Sequence, residues 1–137
     1  MGSIIVALPK VEDARHISDI LKRRGLDSIV CTSGSKVLST VHELDSGVVI
    51  CGRRLTDMHY TQVAEYLPKY FEMLLISSKN TFDDCPPGIM TLGVPFRAAE
   101  LIGTVEMMLA QQARLFKKLK SAPKKRSERE QNYINNA

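Results

Sequence analysis

The chain has 137 residues, the size of one domain, with 44% hydrophobic residues and a formal net charge of +4. No apolar run approaches the roughly 20 residues of a membrane helix, and Met1-Gly2-Ser3 leads into Ile4 without the segments of a secretory leader, so a cytoplasmic location is expected. Cys31, Cys51 and Cys85 are odd in number, far apart and without CxxC spacing, which argues against a disulfide framework and points to small buried hydrophobes in a reducing compartment.

The elements follow one another with short connections. Ile4 to Leu8 is an apolar run of the kind buried on both faces of a sheet, stopped by Pro9. Val11, Ala14, Ile17 and Leu21 recur at helical spacing, with Glu12 and Asp13 in the first turn, where the helix dipole favours acids, and Gly25 as the stop. Ser28–Thr32 reads as a second strand. Val37, Leu38, Val41 and Leu44 mark a second helix, with Ser33 or Ser35 as its N-cap. Val48–Cys51 is a third strand, and Val63, Tyr66 and Leu67 mark a third helix ending near Pro68. Met73–Ile76 and Ile89–Gly93 are the fourth and fifth strands. Between them, Ser78 to Pro87 holds two consecutive prolines, so at most one helical turn fits there. A long helix begins after Pro95.

This alternation implies a parallel sheet covered on both faces, five strands in flavodoxin-like order, with any site at the carboxyl ends of the strands. The stretch Val48-Val49-Ile50-Cys51-Gly52 and the loop Arg53-Arg54-Leu55-Thr56-Asp57-Met58 resemble the third strand and following loop of a response-regulator receiver (CheY-like) domain. The resemblance covers about residues 3–113. It gives the phosphoacceptor position to Gly52, the metal-binding acidic pair to Leu8-Pro9-Lys10, and the phosphoryl-binding hydroxyl to Ser77. The lysine and its following cis proline fall on Val94-Pro95, and the aromatic switch position on Thr91.

Only Ser77 and Pro95 keep the family's residue types. Aspartyl phosphorylation needs a carboxylate nucleophile and a hard cation held by oxygen ligands. The resemblance therefore implies a degenerate receiver with a signalling role but no metal, cofactor or enzymatic activity. Asp57 is the nearest acid and reads as a turn or helix-cap residue. Arg53 and Arg54 are expected to be solvated or paired with acids such as Asp57, the alternative being that they make the vacated pocket attractive to an anion. His16, His42 and His59 are scattered, and Asp83 and Asp84 are turn residues before Pro86-Pro87-Gly88.

The last helix carries Ile102, Val105, Leu109, Gln112, Phe116 and Leu119 at alternating steps of three and four, a heptad seam. Its first half is expected to dock on the sheet. Beyond Ala113 it would overrun the sheet and meet a partner helix, most simply from a second copy of the chain. Residues 114–137 hold eight basic and two acidic residues, whereas the first 113 hold eleven basic and thirteen acidic. Ser121-Ala122-Pro123 is expected to interrupt the helix, with the basic run Lys124-Lys125-Arg126 beyond it.

This tail resembles the lead-in to an ANTAR module, the RNA-binding output domain of transcription antitermination regulators. That resemblance divides the chain into a receiver-like domain, 1–113, and an extension, 114–137, in which a truncated module begins. It implies a homodimer, contact with a sensor or regulatory protein, and RNA as the partner of a downstream module. The alternatives are a conventional receiver phosphorylated at a non-standard residue, and direct nucleic-acid binding through the basic tail.

Overall fold

A computed structural model describes residues 2–78 and 84–136, apart from the side chains of 116 and 119–136. Five strands, β1 (Ser3–Ala7), β2 (Ile29–Cys31), β3 (Gly47–Gly52), β4 (Phe71–Ser78) and β5 (Met90–Val94), form one parallel sheet in the order β2-β1-β3-β4-β5. Helices α1 (Val11–Lys22), α2 (Gly34–Val41), α3 (Tyr60–Glu65) and α4 (Ala98–Asn136) lie between and after the strands. The expected flavodoxin-like fold is the observed one.

Successive side chains of a strand point to opposite faces, so each apolar strand feeds two cores. Ile5, Ala7, Val49, Cys51, Met73 and Leu75 meet Val37 and Val41 of α2 and Tyr60 and Val63 of α3. Ile4, Val6, Val48, Ile50, Leu74 and Ile76 meet Ala14, Ile17 and Leu21 of α1 and Leu101, Val105 and Met108 of α4. Every residue of β3 is buried, as expected for a central strand of a parallel sheet covered on both faces.

Local signals set the helix ends. Gly25, at φ +79°, ends α1: its N–H bonds Lys22 O and the Leu26 N–H bonds Leu21 O, a Schellman closure. Ser33 caps α2 by accepting from the Lys36 N–H at 3.2 Å. A reciprocal box starts α3, with the His59 side chain accepting from backbone and the Gln62 side chain accepting from the His59 N–H at 3.0 Å. Among the described residues between β4 and β5, 84–89, there are turns and no helix, as the paired prolines imply.

The α4 stripe of Leu101, Val105, Met108 and Gln112 is buried against the sheet. Gln112 donates through Nε2 to Glu72 Oε1 at 2.5 Å, which ties the helix to β4. Val105 thus belongs to the chain's own core, and Ile102 and Leu109 are half-buried against it. The expected interruption at Ser121-Ala122-Pro123 is absent, because the α4 backbone is helical to Asn136. A proline withdraws one N–H and can bend a helix without ending it. The side chains of Phe116, Leu119, Lys124, Lys125 and Arg126 lie outside those described.

The burial pattern of α4 predicts unequal responses from neighbouring methionines. Met108, fully buried, should cost about 2–5 kcal/mol on replacement by alanine. Met107, 41% exposed, should change stability by no more than about 0.5 kcal/mol. Urea unfolding of M107A and M108A measures both, and equal losses would contradict this docking of the helix.

Candidate functional site

The carboxyl ends of β1, β3, β4 and β5 converge on one edge of the sheet. The register pairs Ala7 with Cys51, Gly52 with Ile76 and Ser78 with Val94. Leu8, one residue past the β1 end, therefore stands opposite Gly52, and Ser77 stands opposite Arg53. The Leu8 N–H continues the pairing by donating to Cys31 O at 3.2 Å.

Gly52 closes β3 buried and without a left-handed backbone; among the described residues only Gly25, Gly47 and Gly88 have positive φ. What its missing Cβ provides is space. A Cβ built there would lie 2.8 Å from Leu8 Cδ2 and 3.8 Å from Pro9 Cδ. The space a side chain at Gly52 would first enter is thus taken by the end of the Leu8 side chain, with Pro9 at van der Waals distance. Leu8 itself packs against the core shared with α1 and α4.

Arg53 spans the neighbouring space. Its Nε donates to Ser77 Oγ at 3.3 Å, and its Nη1 reaches both Asp84 carboxylate oxygens at 3.4 Å. Its guanidinium also lies 5.7 Å from the centroid of the Tyr60 ring, within cation–π range. Asp84 is largely exposed, so this ion pair orients the arginine more than it stabilises the fold. Arg53 is paired with an acid, as expected, and the acid is Asp84; Asp57, the example the sequence offered, is taken up by α2.

Asp57 is a cap, and it serves a helix distant in sequence. Its Oδ1 accepts from the Gly34 N–H at 2.6 Å and its Oδ2 from the Ser35 N–H at 3.1 Å. With Ser33, it satisfies the first three N–H groups of α2, donors a helix cannot satisfy itself. The Gly34 and then the Ser35 N–H hold the Asp57 carboxyl below its ordinary pKa. Met58 covers the same turn, and its side chain occupies the place a Cβ on Gly34 would take. Thr56 adds two bonds to Thr32 O, from its N–H at 3.2 Å and its hydroxyl at 3.1 Å.

The other expected positions are more open. Val94 is 37% exposed and joined to the exposed Pro95 by a cis peptide, as the resemblance implies. Thr91 is exposed in β5, and Ser77 is engaged by Arg53. Cys51 is buried, which pushes its thiol up to about 12, and its Sγ donates to Gly52 O at 3.2 Å, so it offers no nucleophile. No cluster of three metal-ligating side chains and no helix apolar enough to cross a membrane occurs among the described residues. The roles of Leu8, Tyr60 and Asp84 have no local sequence signal, since each depends on a contact between separate elements. Asp83 lies outside the described residues.

No protein-family model and no curated protein matches the chain. Solved structures match its fold. The crystal structure of adenylate cyclase from Rhodopirellula baltica aligns with a TM-score of 0.80 at 14% identity, over 90% of this chain and 99% of that one. A CheY-like response-regulator receiver domain protein from Methanospirillum hungatei aligns with a TM-score of 0.69 at 17% identity, over 82% of this chain and 98% of that one. The beryllofluoride-activated NtrC4 receiver domain dimer aligns with a TM-score of 0.72 at 14% identity, over 82% and 99%. The fold is that of CheY-like receiver domains.

The role of Asp57 predicts a pH signature. A carboxyl whose folded pKa is lowered contributes stability above its unfolded pKa, near 3.9, and loses that contribution as pH falls through the lower folded value. Asp57→Ala should therefore melt below the wild type at neutral pH, and the gap should narrow below about pH 4. A gap independent of pH would contradict the ionic cap.

Proposed function

We propose that this chain is a two-component-type signalling domain that does not use phosphorylation, and that it regulates by contact as part of an RNA-binding transcription antiterminator. The observation that carries the proposal is the packing of Leu8 and Pro9 in front of Gly52. Phosphoryl transfer to an aspartate needs a nucleophilic carboxylate with an electrostatic clamp for the developing charge. On this reading hydrocarbon takes the place of the cation and its ligands, and the retained hydroxyl of Ser77 serves Arg53. Two acids of the neighbouring loops are already engaged, Asp57 by α2 and Asp84 by Arg53. The domain then has no enzymatic activity and needs no cofactor.

Signalling would pass instead through α4. The helix runs from Ala98 to Asn136, and its buried stripe reaches Gln112. Leu115 is 41% exposed beyond that stripe, and Phe116 and Leu119 continue the heptad spacing in sequence. An apolar seam leaving the body is suited to pairing with a second copy of the chain. A sensor or regulatory protein would act on that equilibrium. RNA would be bound by a downstream module, with Lys124, Lys125 and Arg126 adding charge at its entrance.

Sedimentation over a concentration series, with and without acetyl phosphate and Mg²⁺, tests the reading. The expected result is one concentration-dependent dimerisation, identical in both conditions, and an unchanged intact mass. A stoichiometric, acid-stable, hydroxylamine-sensitive phosphoryl adduct would overturn phosphorylation independence. A monomer at high micromolar concentration would overturn the dimer. Salt-dependent RNA binding that disappears with residues 121–137 would assign the nucleic-acid contact to the tail itself.

A further inference from the structure

Tyr60 is the largest fully buried side chain among the described residues, and its hydroxyl has no strong hydrogen-bond partner among them. A buried hydroxyl without a partner is uncommon and costly, because it gives up its water without replacement. The hydroxyl lies beside the half-buried Cys85, whose thiol acts on it and is at most a weak acceptor for it. Burial first, then the neighbouring Cys85 and Asp84, push the tyrosine hydroxyl above its ordinary pKa, so it remains a neutral donor. The Arg53 guanidinium lies over the same ring, 5.7 Å from its centroid. A buried donor with at most a weak acceptor thus lies against one half-buried cysteine, and a cation lies over the same ring.

We infer that Cys85 is an oxidation site, at which a hydroperoxide converts the thiol to a sulfenic acid whose oxygen accepts the orphan Tyr60 hydroxyl. In this step the Cys85 sulfur attacks one peroxide oxygen. An S–O bond forms and the O–O bond breaks. The sulfur loses two electrons, the hydroperoxide is reduced, and the thiol proton joins the departing oxygen as water, or as an alcohol from an organic peroxide. The new oxygen supplies the strong acceptor that the buried hydroxyl lacks, and Arg53 favours its anionic form.

The other two thiols lack this surrounding. Cys31 and Cys51 are buried, and burial raises the pKa of each, so both stay protonated within the core. Cys85 adjoins Pro86 in the connection from β4 to β5, and its neighbour Asp84 is held by Arg53 from the end of β3. Oxidation there would add an oxygen beside the tie between those two segments, a chemical input at the same sheet edge that does not involve phosphate.

The test is exposure of the full chain to hydrogen peroxide, capture of sulfenic acid with dimedone, and peptide mass spectrometry. The expected result is a dimedone adduct on Cys85 with Cys31 and Cys51 unmodified. Tyr60→Phe keeps the ring in the core and removes the hydroxyl, and it should lower the captured yield at Cys85 by roughly tenfold, as befits loss of a hydrogen bond to a charged group. Labelling of Cys85 no greater than that of Cys31 or Cys51 in the wild type would overturn the assignment. An unchanged yield in a folded Tyr60→Phe protein would overturn the role of the hydroxyl.

Discussion

β3 is buried along its whole length, and the need to cover its two faces places the other elements. A parallel strand of this kind has no polar side, so helices must pack above and below it. The apolar stripes of α1 and α4 take one face, and those of α2 and α3 take the other. The same constraint brings the strand ends to a common edge, where side chains from four strands can meet. What occupies that edge is then decided by a few residues that follow the strands.

In this chain those residues are mostly not chemical groups. Leu8 and Pro9 lie in front of the bare backbone of Gly52. The charges that remain are used to tie loops. Asp57 fixes the loop after β3 to the start of α2, and Arg53 links β3 to Ser77 and to Asp84 in the next connection. The loop after β3 and the start of the β4–β5 connection at Asp84 are thus held by side chain to backbone and side chain to side chain contacts.

Much of the fold could be read from the chain, because its signals are local. The runs Ile4–Leu8, Val48–Cys51 and Met73–Ile76 locate three strands to within two residues at either end. Ser33 and Gly25 mark helix ends by the rules that make them good caps. β4 runs on through Phe71, Glu72, Ser77 and Ser78 because its ladder with β3 and β5 continues past the apolar run. The candidate site could be read as residue types alone, such as Gly52 and Val94. It was not legible in its contacts. That Asp57 caps a helix 23 residues earlier, or that Asp84 is the acid Arg53 finds, follows from strand register, which has no local trace. The continuation of α4 past Pro123 likewise overrides a local stop signal.

The central claim is that the space a side chain at Gly52 would first enter belongs to hydrocarbon, with Gly52 bare because Leu8 lies over it. A double-mutant cycle of Gly52→Asp and Leu8→Ala, read by urea unfolding, measures this directly. The account predicts that Gly52→Asp is clearly destabilising in the wild type and less so when Leu8 is alanine, with a coupling of about 0.5–3 kcal/mol, as for residues in contact. Strict additivity would contradict it, for it would mean that the two positions do not share the space.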